Sequence, residues 1–589
     1  MKNKEMGFEK YPTIEVRGEE KSCYLGWKAI GKEIENALSN SINGKKTVVI
    51  ECYQGVDFNE LLTWVKEHLS YTNLVLAENT MLSEDSIKTL TQQDVTDDRI
   101  FGYLTRLNMI DFFDKDKLEK AKNNIETTTE GTTIIFGYGA SLFVENPDIL
   151  IYADMARWEI QQRMRRNEIS NLGISNNEEK VETQYKRAFF VDWRVCDRLK
   201  KKLMHKWDYV LDTNQKGFPK LATGQAVLKG LKQATKQPFS VVPFFDAGPW
   251  GGQWMKEVCD LDKTQENFAW CFNCIPEENS LLLQFGDILF EIPSINLVFY
   301  QAKELLGEAV YGRFGDEFPI RFDFLDTIGG GNLSLQVHPV TEYIQEKFGI
   351  PYTQDESYYI MDTKPGAEVY LGLKEGIKPQ EMIRDLEEAE KNNSFFDADK
   401  HVNIWNAKKH DHFLIPAGTV HCSGKDSMVL EISSTPYIFT FKLWDWGRVG
   451  MDGKPRPINV EHGKQVIQWD RTTEWTKNNL INQFETISQG EGWREEKTGL
   501  HAQEFIETRR HWFTKKVNHN THNGVNVLCL IDGDEAIIES PNGTFEPFVV
   551  HYAETFIVPA TVGEYSIRPY GISEGKEIAT IKAFIRTNS

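Results

Sequence analysis

At about Pro238 the periodicity of this chain changes, and no single regular architecture accommodates both sides of the change. Before it, short β-branched runs alternate with charged stretches of helical spacing. The runs are Lys46–Cys52 (KTVVIEC), Thr132–Tyr138 (TTIIFGY) and Ile149–Ala153 (ILIYA), and the helical stretches include Leu61–Leu69, Asp154–Arg166 and Trp193–Lys206. Strands that are apolar without alternation are covered on both faces, which predicts a parallel α/β sheet. After Pro238 the segments shorten and alternate with period two, as in FPIRFDFLDT, NLSLQVHP, HFLIPAG and MVLEIS. Many short strands between turn residues predict antiparallel sandwiches or barrels. Pro379–Asn393 interrupts them as a charged helix, and in the β-rich block from about Leu500 onward Asp532-Gly533-Asp534 reads as a tight hairpin turn. The expected fold class is α/β plus all-β. The expected domains are residues 1–235, residues 236–475 with a helical insertion at about 376–400, and residues 476–589.

Charge limits the partners. The 589 residues carry 67 Lys and Arg against 87 Asp and Glu, a formal charge of −20. An acidic surface excludes broad nucleic-acid or anionic-membrane binding but leaves room for a small anion held by a few local cations. No uncharged apolar run reaches the length of a membrane span, and MKNKEMGFEKYP lacks the apolar core of a secretory signal. Eight cysteines do not make a disulfide framework, and Cys271 and Cys274 have CxxC spacing without a second pair, so they read as packed thiols. A cytoplasmic protein is expected.

The chemistry concentrates between Ser334 and Arg448. Strand alternation in Leu333–His338 sends Ser334, Gln336 and His338 to one face. Glu356 and Tyr358 share a face on the next strand, and His412–His421 runs through a Pro-x-Gly turn into a histidine. Gln336, His338, Glu356 and His421 form an N/O donor set suited to one divalent cation with positions left for substrate. His401, His410 and His412 read as structural.

These segments resemble the type I mannose-6-phosphate isomerases, a cupin family. The resemblance is carried by Leu333–Pro339, Ile415–His421 and Trp444-Asp445-Trp446-Gly447-Arg448. It is also carried by Trp250-Gly251-Gly252, Glu317-Phe318-Pro319, Phe324-Leu325-Asp326 and Gly453-Lys454-Pro455-Arg456-Pro457. It spans roughly residues 238–589 and implies two cupin-type β-barrels. It also implies Zn2+ or another divalent metal, one per chain, bound by Gln336, His338, Glu356 and His421. The activity implied is carbohydrate metabolism: interconversion of mannose 6-phosphate and fructose 6-phosphate through an enediolate, with a small phosphorylated sugar as partner. Ser334 then lies near the substrate phosphate, with Lys442 and Arg448 as its cations.

Three positions depart from the family pattern. The lysine expected two residues before the metal glutamate is Gln354, which carries neither charge nor a transferable proton. The acidic residue and arginine expected four residues apart become Ile438 and Lys442, and the later basic residue is Arg448. Glu431 is the substitute acid–base candidate, beside Lys442 and Arg448 as catalytic candidates. The departures keep two alternatives open: a sugar-phosphate binding or regulatory protein, and an isomerase of a related sugar.

The first 235 residues resemble nucleoside-kinase-like proteins in Thr132–Gly139, Asp148–Asp154, Arg163-Met164-Arg165-Arg166 and Asp208–Asp212. Tyr53-Gln54-Gly55-Val56-Asp57, where a phosphate loop would stand, has one glycine and none of the GxxxxGK[ST] pattern. The resemblance implies a degenerate kinase-like domain used for packing, oligomerisation or regulation. Arg163, Arg165 and Arg166 are either a phosphate site or an exposed helix face.

Overall fold

The computed structural model describes residues 7–39, 44–392, 394–434, 439–448, 456, 458–499, 501 and 504–587. Ile438 and Lys454 lie outside the described residues. The chain divides into two compact units, one of residues 13–234 with 277–300, the other of 1–12, 235–276 and 301–589.

The first unit is built on five parallel strands: β1 (Lys45–Cys52), β2 (Asn73–Leu76), β3 (Gly131–Gly137), β4 (Ile149–Asp154) and β5 (Tyr209–Asp212). Their order is β2-β3-β1-β4-β5, extended by antiparallel Lys220–Thr223 and Cys23–Leu25. Val48, Val49 and Ile50 at its centre are wholly buried, which is why β1 shows no alternation. Asp57 closes the turn after β1 by accepting the N–H groups of Asn59 and Glu60, capping the helix Phe58–His68. Three further helices matter below: α1 (Arg157–Arg165), α2 (Val181–Arg187) and α3 (Trp193–Leu203). Arg163 on α1 is a buried pin: it pairs with Glu159 at 3.0 Å and donates to the carbonyls of Gly55 and Thr213. It is neither an exposed helix face nor a free cation.

Residues 277–300 depart from the expected division at residue 235. The hairpin Ser280–Phe285 and Ile288–Pro293 pairs with Thr13–Glu15 in a three-stranded sheet of the first unit. Its alternation marks it as strand, but nothing in that alternation says which unit its apolar face covers. Leu283 answers this by packing against Gly230, where a Cβ would meet it at 3.1 Å.

In the second unit the chemistry-bearing strands fall in two sheets. Strands β6 (Arg321–Asp326), β8 (Glu356–Thr363), β9 (His412–Ile415) and β11 (Ser427–Ser433) belong to a six-stranded sheet ordered β9-β8-β11-β6, then Trp270–Cys274 and Phe244–Asp246. Strands β7 (Leu335–Val337), β10 (His421–Ser423) and β12 (Phe441–Trp444) belong to a five-stranded sheet in which β7 lies between β10 and β12. Cys271 and Cys274 are buried thiols on one strand. The helical insertion is Pro379–Asn392.

The C-terminal strands form a six-stranded and a four-stranded sheet around a core that includes Phe513, Leu528, Leu530, Ile538, Phe556 and Tyr565. Among the described residues no sheet closes into a barrel. The chain changes sheets instead, at Pro416, which has no N–H to donate, and at Gly533. The expected hairpin at Asp532–Asp534 is therefore corrected: Asn526–Asp532 and Glu535–Glu539 lie in different sheets. Gly533 has φ +95° there, and a side chain would collide with Ile578.

Candidate metal centre

Gln336 on β7 stands directly opposite His421 on the neighbouring β10, so their side chains share a face. His338 follows on the same face two residues later. Glu356 comes from β8 in the other sheet, and the donor atoms of His338, Glu356 and His421 lie within 4.8 Å of one another. His338 Nε2 is 3.1 Å from Glu356 Oε2, His421 Nε2 is 2.8 Å from Oε1, and the Gln336 amide is 3.2 Å from His421 Nε2. All four side chains are buried.

The tautomers follow from the other ring nitrogens. His338 Nδ1–H donates to the Phe439 carbonyl at 2.7 Å, and His421 Nδ1–H donates to the Thr419 carbonyl at 2.8 Å. Each ring therefore turns its Nε2 toward the carboxylate. Two imidazole nitrogens and a carboxylate crowd one buried spot, and His338 Nε2 and Glu356 Oε1 make no hydrogen bond there. A shared cation satisfies all three groups at once. Donors about 2.0–2.1 Å from a shared ion stand a little over 3 Å apart, close to the 3.1 and 2.8 Å at which the two histidines approach Glu356. The residues therefore fit a divalent metal, with second nitrogens tied to backbone carbonyls as in metal-bound histidines generally. Burial alone would raise the Glu356 carboxyl, but the imidazoles of His338 and His421 outweigh it and hold it well below the usual range.

The turn that delivers His421 is clamped. Gly418 N–H donates to the His338 carbonyl at 2.9 Å, and Ala417 N–H donates to Asp355 at 2.8 Å. Arg471 Nη1 donates to the carbonyls of Pro416 and Ala417, each at 2.7 Å, and to the Thr419 hydroxyl. Arg471 carries no motif and its role is not legible in the sequence.

Gln354 lies in this cluster. Its Nε2 donates to Glu356 at 2.8 Å and to Glu431 at 3.4 Å. Glu431, opposite Asp323 on β6 and Tyr358 on β8, is raised well above an ordinary carboxyl by burial, then by the like charges of Asp323 and Glu356. It holds a proton where an ordinary glutamate would not.

Ser334, Lys442 and Arg448 lie around β7 and β12. Ser334 Oγ donates to Asp445 at 2.7 Å, and Asp445 also takes the Arg448 guanidinium and pairs with Arg456 at 3.0 Å. Arg448 Nη1 donates to the Asn332 carbonyl at 2.7 Å. Lys442 is opposite Gln336, and its pKa is lowered to about 8 by burial and then by Arg456 and Arg448. Three cations thus surround one carboxylate, an excess of positive charge suited to an anion. Asp445 and Arg456 are additions to the expected set. In the sequence Arg456 is only part of a Gly-Pro pattern, and Asp445 only the middle of an aromatic motif.

Over part of its length the chain is similar to proteins of known name. Mannose-6-phosphate isomerase ManA of Bacillus subtilis (strain 168) is 26% identical over 235 residues, covering 40% of this chain and 69% of the relative. The mannose-6-phosphate isomerase of Streptococcus mutans is 26% identical over 220 residues, covering 37% of this chain and 64% of the relative. The crystal structure of the Bacillus subtilis mannose 6-phosphate isomerase aligns with 18% identity and a TM-score of 0.48, covering 59% of this chain and 99% of that one. Residues 26–236 match a family model described as a domain of unknown function (DUF8485). No described helix is long and apolar enough to cross a membrane.

Proposed function

We propose that this chain is a metal-dependent aldose–ketose isomerase of phosphorylated sugars, with mannose 6-phosphate and fructose 6-phosphate as its substrate pair. The observation that carries the reading is the convergence of His338, Glu356 and His421, their Nε2 atoms and carboxylate turned on a common point. The relatives' names favour the same sugar phosphates.

Gln336, His338, Glu356 and His421 would hold a zinc or similar ion, which when bound acts as a Lewis acid on the sugar oxygens at C1 and C2. The remaining work falls to the chain. Arg448, Arg456 and Lys442 supply the charge for a phosphate beside Ser334. Asp445 orients the two guanidinium groups before substrate arrives. Burial and like charges raise the Glu431 carboxyl, so its carboxylate is a stronger base than an ordinary glutamate and could take a proton from one carbon and return it to the other. Gln354 bridges Glu356 and Glu431, keeping the two carboxyl groups apart in role: one ionised toward the metal, one protonated.

The test follows fructose 6-phosphate formation by zinc-loaded protein, alongside Gln336→Ala and His338→Ala. Turnover by the wild type and its loss in both variants is expected. Zinc-loaded wild type that turns over neither sugar phosphate overturns the reading. Gln354 favours a second reading, a sugar-phosphate binding protein without turnover, because it replaces a proton carrier by an amide already committed to two carboxylates. Calorimetric binding of mannose 6-phosphate without isomerisation would favour it, and turnover would eliminate it.

A further inference from the structure

The α/β unit holds a second set of cations that sugar isomerisation does not use. In open α/β sheets, ligands sit beyond the carboxyl ends of strands, where neighbouring strands lead away in opposite directions. Here that point lies between β1 and β4. The chain leaves β1 toward β2 and β3, leaves β4 toward β5, and β1 and β4 are adjacent. Tyr53 follows β1 by one residue and Arg157 follows β4 by three. Both reach Asp197 on α3, the Tyr53 hydroxyl donating to Oδ1 at 2.8 Å and Arg157 Nη2 to Oδ2 at 2.6 Å.

Arg157 is 2% exposed, with its guanidinium 4.9 Å over the Trp193 ring, yet its Nε and Nη1 are buried without a hydrogen-bond partner. Arg194 acts on the same Asp197 carboxylate from one turn earlier on α3 and lies 4.9 Å over the Phe189 ring. Its Nε and Nη2 are likewise buried without a partner. Lys200 also acts on Asp197 but is already held, by Asp154 at 2.8 Å and Asn296 at 3.1 Å. From the hairpin segment, Glu277 and Glu278 act on Arg157, and the Glu278 carboxylate is taken by Gln161 and Tyr185. Four guanidinium nitrogens, two on each arginine, are left buried with no acceptor. Burying such groups is costly unless an acceptor completes them.

The helix that carries Arg194 is interrupted. Between α2 and α3 it passes through a π-turn, Ala188–Asp192, a geometry that gives up regular helical bonds and is found mostly at functional sites. Arg187, just before that turn, also has Nε and Nη2 buried without hydrogen bonds, with Asp192 at 3.9 Å.

We propose that the α/β unit binds a tetrahedral oxyanion, the phosphate group of a small metabolite, at Arg157 and Arg194 beyond the carboxyl ends of β1 and β4. The free Nε and Nη2 of Arg194 form a guanidinium fork that matches two oxygens of such a group, and Arg157, whose Nη2 is taken by Asp197, adds a single charge-assisted donor. The loop after β1 adds no lysine, and its Gly55 carbonyl accepts from Arg163, so recognition rests on side chains and not on a backbone cradle.

Calorimetry of the full chain with potassium phosphate, against potassium chloride of equal ionic strength, tests this. The same titration is run on the double variant His338→Ala/His421→Ala and on Arg194→Gln, whose half-buried side chain allows the change with little disturbance. A fourth sample, Arg157→Lys, keeps the charge but loses the Nε and Nη1 donors. Saturable phosphate binding that survives in the double histidine variant and weakens about tenfold or more in Arg194→Gln and Arg157→Lys is expected. No saturable binding to the wild type overturns the proposal. So does binding that disappears with the histidines and is untouched at Arg194. Because the histidine variant removes the metal centre, failure here is distinguishable from failure of the isomerase reading.

Discussion

His338 and His421 are committed by their second nitrogens: with each Nδ1–H given to a backbone carbonyl, Nε2 is the nitrogen left to face Glu356. Strand alternation made Gln336 and His338 legible as a same-face pair, and the Pro-x-Gly turn flagged His421. Gln354 was legible only as a departure; its bridging of Glu356 and Glu431 required knowing that β8 and β11 are neighbours. Two outcomes are expected at this scale. Glu431→Gln keeps its metal, measured by elemental analysis, while turnover falls about a hundredfold or more, the contribution of a positioned acid–base group. Arg456→Gln raises the KM for the sugar phosphate about tenfold with a smaller change in kcat, the worth of one charge-assisted hydrogen bond.

The turn between β9 and β10 converts local backbone rules into metal geometry. Gly418 has φ +88°, and a Cβ there would meet Gln468 at 2.6 Å and the Val466 carbonyl at 2.9 Å. Gly418→Ala therefore strains the turn and displaces His421, and weaker zinc retention against a chelator is expected. Arg471→Ala leaves the ligands intact but frees two turn carbonyls. Loss of about tenfold to hundredfold in metal affinity is expected, as for other residues that hold metal ligands in place. At the carboxyl end of β1, Glu51 accepts the N–H groups of Gly139 at 2.7 Å and Ser141 at 2.8 Å, but burial dominates and pushes its carboxyl up to about 7. A folded pKa above the unfolded value of 4.5 means the folded state keeps the proton longer. Stability from this group is thus full below about pH 4.5 and is lost as pH rises through about 7, by about 3 kcal/mol. Urea midpoints of the wild type should fall between pH 5 and pH 8, and Glu51→Gln should flatten that fall.

Over the whole molecule, calorimetry with and without a chelator should separate the two units. Zinc at a hundred times its dissociation constant stabilises the unit that binds it by about 2.7 kcal/mol, so chelation should lower one transition and leave that of the α/β unit in place. A chelator that shifts neither transition would count against the metal centre. The periodicity change near Pro238 determined by itself that an α/β part precedes a β-rich part, because burial on two faces and on one face write different patterns. It also determined which residues could be ligands, because alternation assigns faces. Tertiary structure alone decided that residues 277–300 join the α/β unit and that the strands on either side of Gly533 part into different sheets. It alone decided that Glu356 meets the histidines from the opposite sheet, that Arg456 pairs with Asp445, and that Arg471 holds the turn before His421. The reason is physical: alternation records whether a side chain is buried, whereas its partner is chosen by long-range packing that leaves no local period in the chain.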